Sequence, residues 1–368
     1  MKKFISFFLC VWFACFAVSS AETPRHRGLF VSVIQDPPVL SSRQEISKLI
    51  DSAKELQIDT LFVQIYRANK AWFRSKVGDS ASYQAAMQEV GEDPFTLLIQ
   101  EAHKNGIEVH AWLNLLSLSD NPNAKILKKY GPKILTQNGK KKKKLEDYKI
   151  DNQYFLEPGD LRVRKELSKM VAEIVRAYPD LNGLQFDYIR YPDKDPPYGY
   201  TKMNMTRFKK AAGVKRIDED SKAWKDWKRD QVTSLLKELI AKARTVRPEI
   251  QISTTGLMPY SRALHEGFQD WKYWIESGLV HFVTLMCYNK DTSKFEEYIL
   301  NAKENSGNFE NVNLAVGTYV FVRAPEKFKR QFELCEHSGS RGCVIFHYGS
   351  LVENPALMEP LKASRKAA

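Results

Sequence analysis

Eight short apolar runs, spaced along nearly the whole chain, constrain its fold more than any other feature. They are Leu29–Ile34, Leu61–Tyr66, Ile107–Leu113, Leu184–Asp187, Ile250–Thr254, His281–Met286, Val312–Val316 and Cys343–His347. Each has the β-branched and aromatic enrichment of a strand buried on both faces, as parallel strands are. Between them lie stretches of helical periodicity: Glu45–Leu56, Phe95–Asn105, Arg164–Tyr178, Trp224–Val246, Phe295–Glu304 and Glu326–His337. In the fourth of these, Val232, Leu235, Leu236, Leu239, Ile240 and Ala243 form one apolar stripe. Four of the seven spacings between run starts are about 31 residues, the size of one strand–helix unit. The long spacings follow the third and fourth runs. Eight strands alternating with helices predict a single (β/α)8 barrel, a TIM barrel, with long insertions after its third and fourth strands. An open doubly wound sheet competes with it. That fold would place a glycine-rich phosphate loop after the first strand, and here Ile34-Gln35-Asp36-Pro37-Pro38 follows it.

The barrel is expected to occupy residues 22–368. Residues 1–21 read as a secretory signal peptide: Lys2 and Lys3, an apolar run from Phe4 to Val18, then Ser19 and Ala21 at −3 and −1 of a cut after Ala21. An uncleaved anchor, or a lipoprotein acylated at Cys15, are the competing readings. Later runs are too short to span a bilayer. The expected location is therefore exported, periplasmic or extracellular. Export would permit a disulfide, with Cys335 and Cys343 the candidate pair; three free thiols, Cys287 included, is the alternative. With 43% hydrophobic and 27% charged residues, the composition excludes a disordered or disulfide-scaffold chain.

Barrel chemistry sits at the C-terminal ends of the strands. In this chain those ends offer Gln35 and Asp36; Gln64, Tyr66 and Arg67; Trp112 and Asn114; Asp187, Tyr188 and Arg190; Thr254 and Thr255; Tyr288, Asn289 and Asp291; Tyr319; His347 and Tyr348. Aromatic faces, amides, carboxylates and arginine suit a carbohydrate, whose ring has an apolar face and paired hydroxyls. The sharpest block is Gly183-Leu-Gln-Phe-Asp-Tyr-Ile-Arg-Tyr-Pro192. Alternation turns Gln185 and Asp187 the same way. A carboxylate ending a buried strand is costly unless used or paired. Asp187 is expected to serve as general acid or as nucleophile at an anomeric carbon; pairing with Arg190 or Arg67 is the structural alternative. Glycosidases commonly use a second carboxylate. Asp291 is the favoured partner, with Glu157, Asp36, Asp193 and Asp195 as others. A substrate-assisted route, with a 2-acetamido group as nucleophile held by Tyr288 or Asn289, needs no partner. Met286-Cys-Tyr-Asn289 loosely resembles the sixth-strand motif of family 18 chitinases.

Several blocks together resemble the family 10-like glycosyl hydrolases of bacterial envelopes (the GHL10 group). They are Arg27–Val31, Phe62–Arg67, Glu108–Asn114, Leu156–Gly159, Leu184–Pro192, Trp227–Asp230 and Tyr288, in family order over nearly the whole chain after residue 21. The resemblance implies a (β/α)8 barrel that hydrolyses a glycan. It also implies peptidoglycan strands of N-acetylglucosamine and N-acetylmuramic acid as the candidate substrate. Position by position, Asp187 matches the family's fourth-strand acid, Gln64 and Arg67 the polar end of the second strand, and His110, Trp112 and Asn114 the third-strand block. Tyr188 stands where the family usually carries a second Asp, and Leu285-Met-Cys-Tyr288 where it carries Pro-Gln-x-Tyr. A catalytically inactive barrel that binds envelope glycan is therefore the alternative function. The expected site is Asp187 and Asp291 as catalytic groups. Gln64, Arg67, Trp112, Asn114, Tyr188, Tyr191, Tyr288, Asn289 and His347 are expected to bind substrate. No cofactor or metal is expected, and no nucleic acid. His110 is expected in the barrel core.

The net charge is +12. Lys140–Lys144 reads as a solvated loop, with contact to an anionic envelope surface as its functional alternative. Tyr198 and Tyr200, in the insertion after the fourth run, are expected in a lid or wall of the site.

Overall fold

A computed structural model describes residues 26–194 and 197–363. Its strands are β1 (His26–Val31), β2 (Thr60–Arg67), β3 (Lys70–Ala71), β4 (Glu108–Asn114), β5 (Gly183–Asp187), β6 (Gln251–Gly256), β7 (Phe282–Met286), β8 (Val312–Gly317) and β9 (Gly342–Phe346). Eight of them pair in parallel in the order β1-β2-β4-β5-β6-β7-β8-β9, and β9 pairs back on β1, closing the barrel. β3 is a two-residue antiparallel hairpin arm on β2. All eight apolar runs are thus barrel strands. The first ends earlier than expected, at Val31, and leaves Ile34 exposed.

The helices form where periodicity and caps agree. Asp93, Asp160 and Ser221 accept backbone N–H groups at the starts of Pro94–Lys104, Leu161–Ala177 and Lys222–Arg244. The last two helices pack on each other outside β5. Alternation divides the core in two. Outward residues such as Val63, Val109, Leu184 and Ile252 meet the helices in one continuous cluster. Inward residues Phe30, Phe62, Trp112, Phe282, Ala315 and Val344 fill the barrel. His110 is buried there at the N-terminal end, 3.6 Å from Glu108, and burial lowers its pKa.

The insertion after β4 contains the exposed Lys140–Lys144 loop, tied by Lys143 and Lys144 N–H groups to Asp147. The insertion after β5 carries an unexpected helix, Lys202–Ala212. It buries Tyr200 against Trp224, with Phe208 in the same cluster, so Tyr200 supports this segment and does not wall the site. Tyr198 is buried as well. Cys335 and Cys343 form a disulfide, and Cys287 is a buried free thiol. Among the described residues, no helix is long and apolar enough to cross a membrane. The expected signal segment, residues 1–21, lies outside the described residues.

Candidate active site

At the C-terminal mouth of the barrel, mostly polar and aromatic residues at or just after the strand ends surround a cleft of about 260 Å³. Asp187 is at its base, 5% exposed. Three donors converge on its carboxylate: Trp112 Nε1 at 3.0 Å to one oxygen, and Thr255 Oγ1 at 2.6 Å and the Tyr188 N–H at 2.7 Å to the other. Arg190 lies 3.7 Å away and stacks over the Tyr188 ring at 4.4 Å. The pairing with Arg190 is therefore real, but it borders an open cleft and leaves the carboxylate accessible to a ligand. Donors placed this way match an ionised carboxylate, which accepts hydrogen bonds only. Tyr188 makes the arrangement by adopting a left-handed backbone, φ 52°. For a non-glycine residue that costs about 1–2 kcal/mol, a strain characteristic of functional turns.

Aromatic rings form the rest of the cleft. Phe30, Trp112 and Phe346 meet edge to face with centroids 4.9–5.9 Å apart. Tyr288 stacks on Phe346 at 4.8 Å and meets Tyr319 edge-on at 5.8 Å. Burial, and secondarily the Asp187 charge, push the Tyr288 hydroxyl far above its ordinary pKa, so it stays a neutral O–H donor. Burial lowers the pKa of His347, whose imidazole also lines the cleft with its Nδ1 unpartnered.

Of the expected residues, Asp187, Arg67, Trp112, Asn114, Tyr188, Tyr288 and His347 line the cleft together. Gln64 is one step behind. Its amide donates to Asn114 Oδ1 at 3.0 Å and accepts from Ser32 Oγ at 3.1 Å, so it positions two lining residues. Several expectations need correction. Asp291 does not line the cleft; it caps the helix Thr292–Asn305 by accepting the Ser293 N–H. The Asn289 side chain accepts the Asp291 N–H, outside the cleft. Tyr191 is buried and donates to Glu157. Glu157, also accepting from Thr136 at 2.9 Å, is wholly buried, and burial raises its pKa. Asp36 is exposed and is not among the lining residues, Asp193 pairs with Arg262, and Asp195 lies outside the described residues. Among the described lining residues, Asp187 is the one carboxylate. Sequence reasoning missed Phe30, Ser32 and Phe346; the inward phase of β1 and β9 was the available signal. No group of three or more His, Cys, Asp or Glu residues is placed to hold a metal among the described residues.

The profile of the family described as glycosyl hydrolase-like 10 matches residues 16–329. The chain is 23% identical over 305 residues to the glycosyl hydrolase DigH of Escherichia coli O6:H1 (strain CFT073), covering 74% of this chain and 67% of that one. It is 23% identical over 309 residues to the glycosyl hydrolase YngK of Bacillus subtilis (strain 168), covering 76% of this chain but only about half, 53%, of that relative's length. Among solved structures it is similar to α-L-fucosidase isoenzyme 2 from Paenibacillus thiaminolyticus, with TM-score 0.63 and 12% identity, over 93% of this chain and 49% of that one. At that identity the likeness shows a shared barrel fold and nothing finer.

Proposed function

The chain belongs to the glycosyl hydrolase-like 10 family, and on that premise we propose that it is an exported glycoside hydrolase of a bacterial envelope glycan, peptidoglycan strands in particular, with Asp187 as its key acid. The observation that carries this reading is the Asp187 carboxylate, held by three donors at the base of an aromatic cleft at the catalytic end of the barrel. A single carboxylate among the described lining residues favours the substrate-assisted route. In it the 2-acetamido oxygen attacks the anomeric carbon, the glycosidic C–O bond breaks, and the departing oxygen takes a proton from the solvent-open mouth. Asp187 accepts the acetamido N–H and balances the positive charge of the intermediate; water then attacks the anomeric carbon, the bond to the acetamido oxygen breaks, and the water's proton leaves to solvent, with net retention. Tyr288 offers its O–H to the substrate. Phe346 and Trp112 offer apolar faces to the ring. The Cys335–Cys343 disulfide supports export, because such bonds persist in oxidising compartments. The Lys140–Lys144 loop is proposed to approach the anionic envelope surface.

The test is a substrate series on the purified protein. Glycan strands bearing 2-acetamido groups should yield new reducing ends, and cello-oligosaccharides of equal length, which lack the group, should not. Equal turnover of both would contradict substrate assistance. A second reading, a barrel that binds envelope glycan without cleaving it, is favoured by one observation: Tyr188 fills the position after Asp187, and among the described residues no further carboxylate lines the cleft. Binding without product, read by mass spectrometry, would select it.

A further inference from the structure

A second cavity, of about 290 Å³, adjoins the cleft and shares Ile34 and Arg67 with it as a common wall. Its other walls include Lys70, Trp72, Asp120 and Asn121. Arg67 reaches this junction because β2 is irregular: the register against β4 shifts between Gln64 and Tyr66. The extra residue reverses the alternation, so Tyr66 packs outward in the core and Arg67 takes the mouth-facing phase. Directly after it, Ala68 and Asn69 turn the chain with φ 54° and 58°, and Arg67 is paired with Lys70 across the hairpin. Two cations directly opposed across a pair of strands repel each other. The turn is nevertheless pinned, by Asn69 donating to the Tyr66 hydroxyl at 2.8 Å and accepting the Ile126 N–H at 3.1 Å. Among the described residues the Arg67 side chain makes no hydrogen bond, ion pair or ring contact. Among the described residues the one acid in the wall, Asp120, is engaged by Lys149 at 2.7 Å. A like-charged pair is thus held together beside the half-buried Trp72 indole at the edge of the cleft.

We propose that this second cavity is a subsite for the glycan residue adjoining the one at Asp187, and that Arg67 and Lys70 select a carboxylate carried by that residue, with Trp72 under its ring. The inference rests on the carbohydrate reading of the cleft and adds the charge of the substrate to it. A guanidinium meets a carboxylate through two parallel hydrogen bonds, which neutral hydroxyls reproduce poorly.

Calorimetric titration of the full-length mature Asp187→Asn protein tests it without turnover. The probes are an oligomer alternating N-acetylglucosamine and N-acetylmuramic acid, the same oligomer with its carboxyls reduced to alcohols, and an N-acetylglucosamine oligomer of equal length. The carboxylated oligomer should bind roughly ten- to hundredfold more tightly than either neutral one, and the margin should narrow with salt. Adding Arg67→Ala should erase most of that margin, Lys70→Ala part of it, and Arg67→Lys should restore some. Equal affinity for charged and neutral oligomers, an unchanged margin in both alanine variants, or binding of none of the three probes would overturn the subsite. Absence of new reducing ends with the wild-type chain would overturn hydrolysis alone, because the margin is read without turnover.

Discussion

Asp187 is tolerable where it sits because three donors and a guanidinium surround it; removing one of them should be felt in activity before stability. Thr255→Val keeps the shape of the side chain and deletes the 2.6 Å hydrogen bond. It should slow hydrolysis roughly ten- to hundredfold while shifting the melting temperature little. A large loss of stability with unchanged kcat would show that the bond serves folding instead. Glu157 illustrates the opposite case, a carboxylate that serves structure. Burial raises its pKa above the ordinary 4.5, so the folded chain holds its proton more tightly than the unfolded chain does. Its contribution is complete at low pH and is lost as pH rises through the raised folded value. Stability of the wild type relative to Glu157→Gln should therefore fall as pH climbs above about 4.5, measured by urea denaturation at several pH values; a flat difference would contradict this assignment. The two acids also mark what the sequence could say. Asp187 was legible because strand alternation fixes its direction. Asp291 was not, because an acid a few residues past a strand can face the mouth or cap the next helix, and only the loop path decides.

At the scale of single elements, strands were legible and short helices were not. Every barrel strand carries a run of apolar residues that no solvent-facing segment would tolerate. Helices such as Ala81–Val90 and Tyr260–His265 are too short, and bury too few residues, to show a period. The β2 irregularity was invisible as well, since one extra residue alters the phase without altering composition, and it is what turns Arg67 to the mouth. The start of β5 shows how tightly the elements fit. A Cβ at Gly183 would lie 2.4 Å from the His110 ring and 3.0 Å from the Gln251 carbonyl. Gly183→Ala should destabilise the fold by about 1–3 kcal/mol, read from the denaturation midpoint. A change under a few tenths would mean that the His110 ring yields freely into the small cavity of about 10 Å³ that it lines.

For the whole molecule, the closed barrel gathers residues from strands nearly the length of the chain apart, from Phe30 to His347, around one cleft. Closure joins β9 to β1, and the Cys335–Cys343 bond clips β9 to the helix before it across eight residues. Reducing it should cost about 2–3 kcal/mol by the loop-entropy argument, seen as a lower melting temperature in dithiothreitol; an unchanged temperature would mean that barrel closure alone fixes this end. The overall architecture could be read from the spacing of eight runs. The content of the cleft could be read only in part, because its floor comes from inward phenylalanines that look like ordinary core. The measurement that tests the account most directly is the release of reducing ends from purified peptidoglycan glycan strands by the wild type and by Asp187→Asn, with glycan binding measured in parallel. The account predicts release by the wild type, a loss of at least about a hundredfold in the variant, and retained binding in both. Equal release by the two proteins would contradict it.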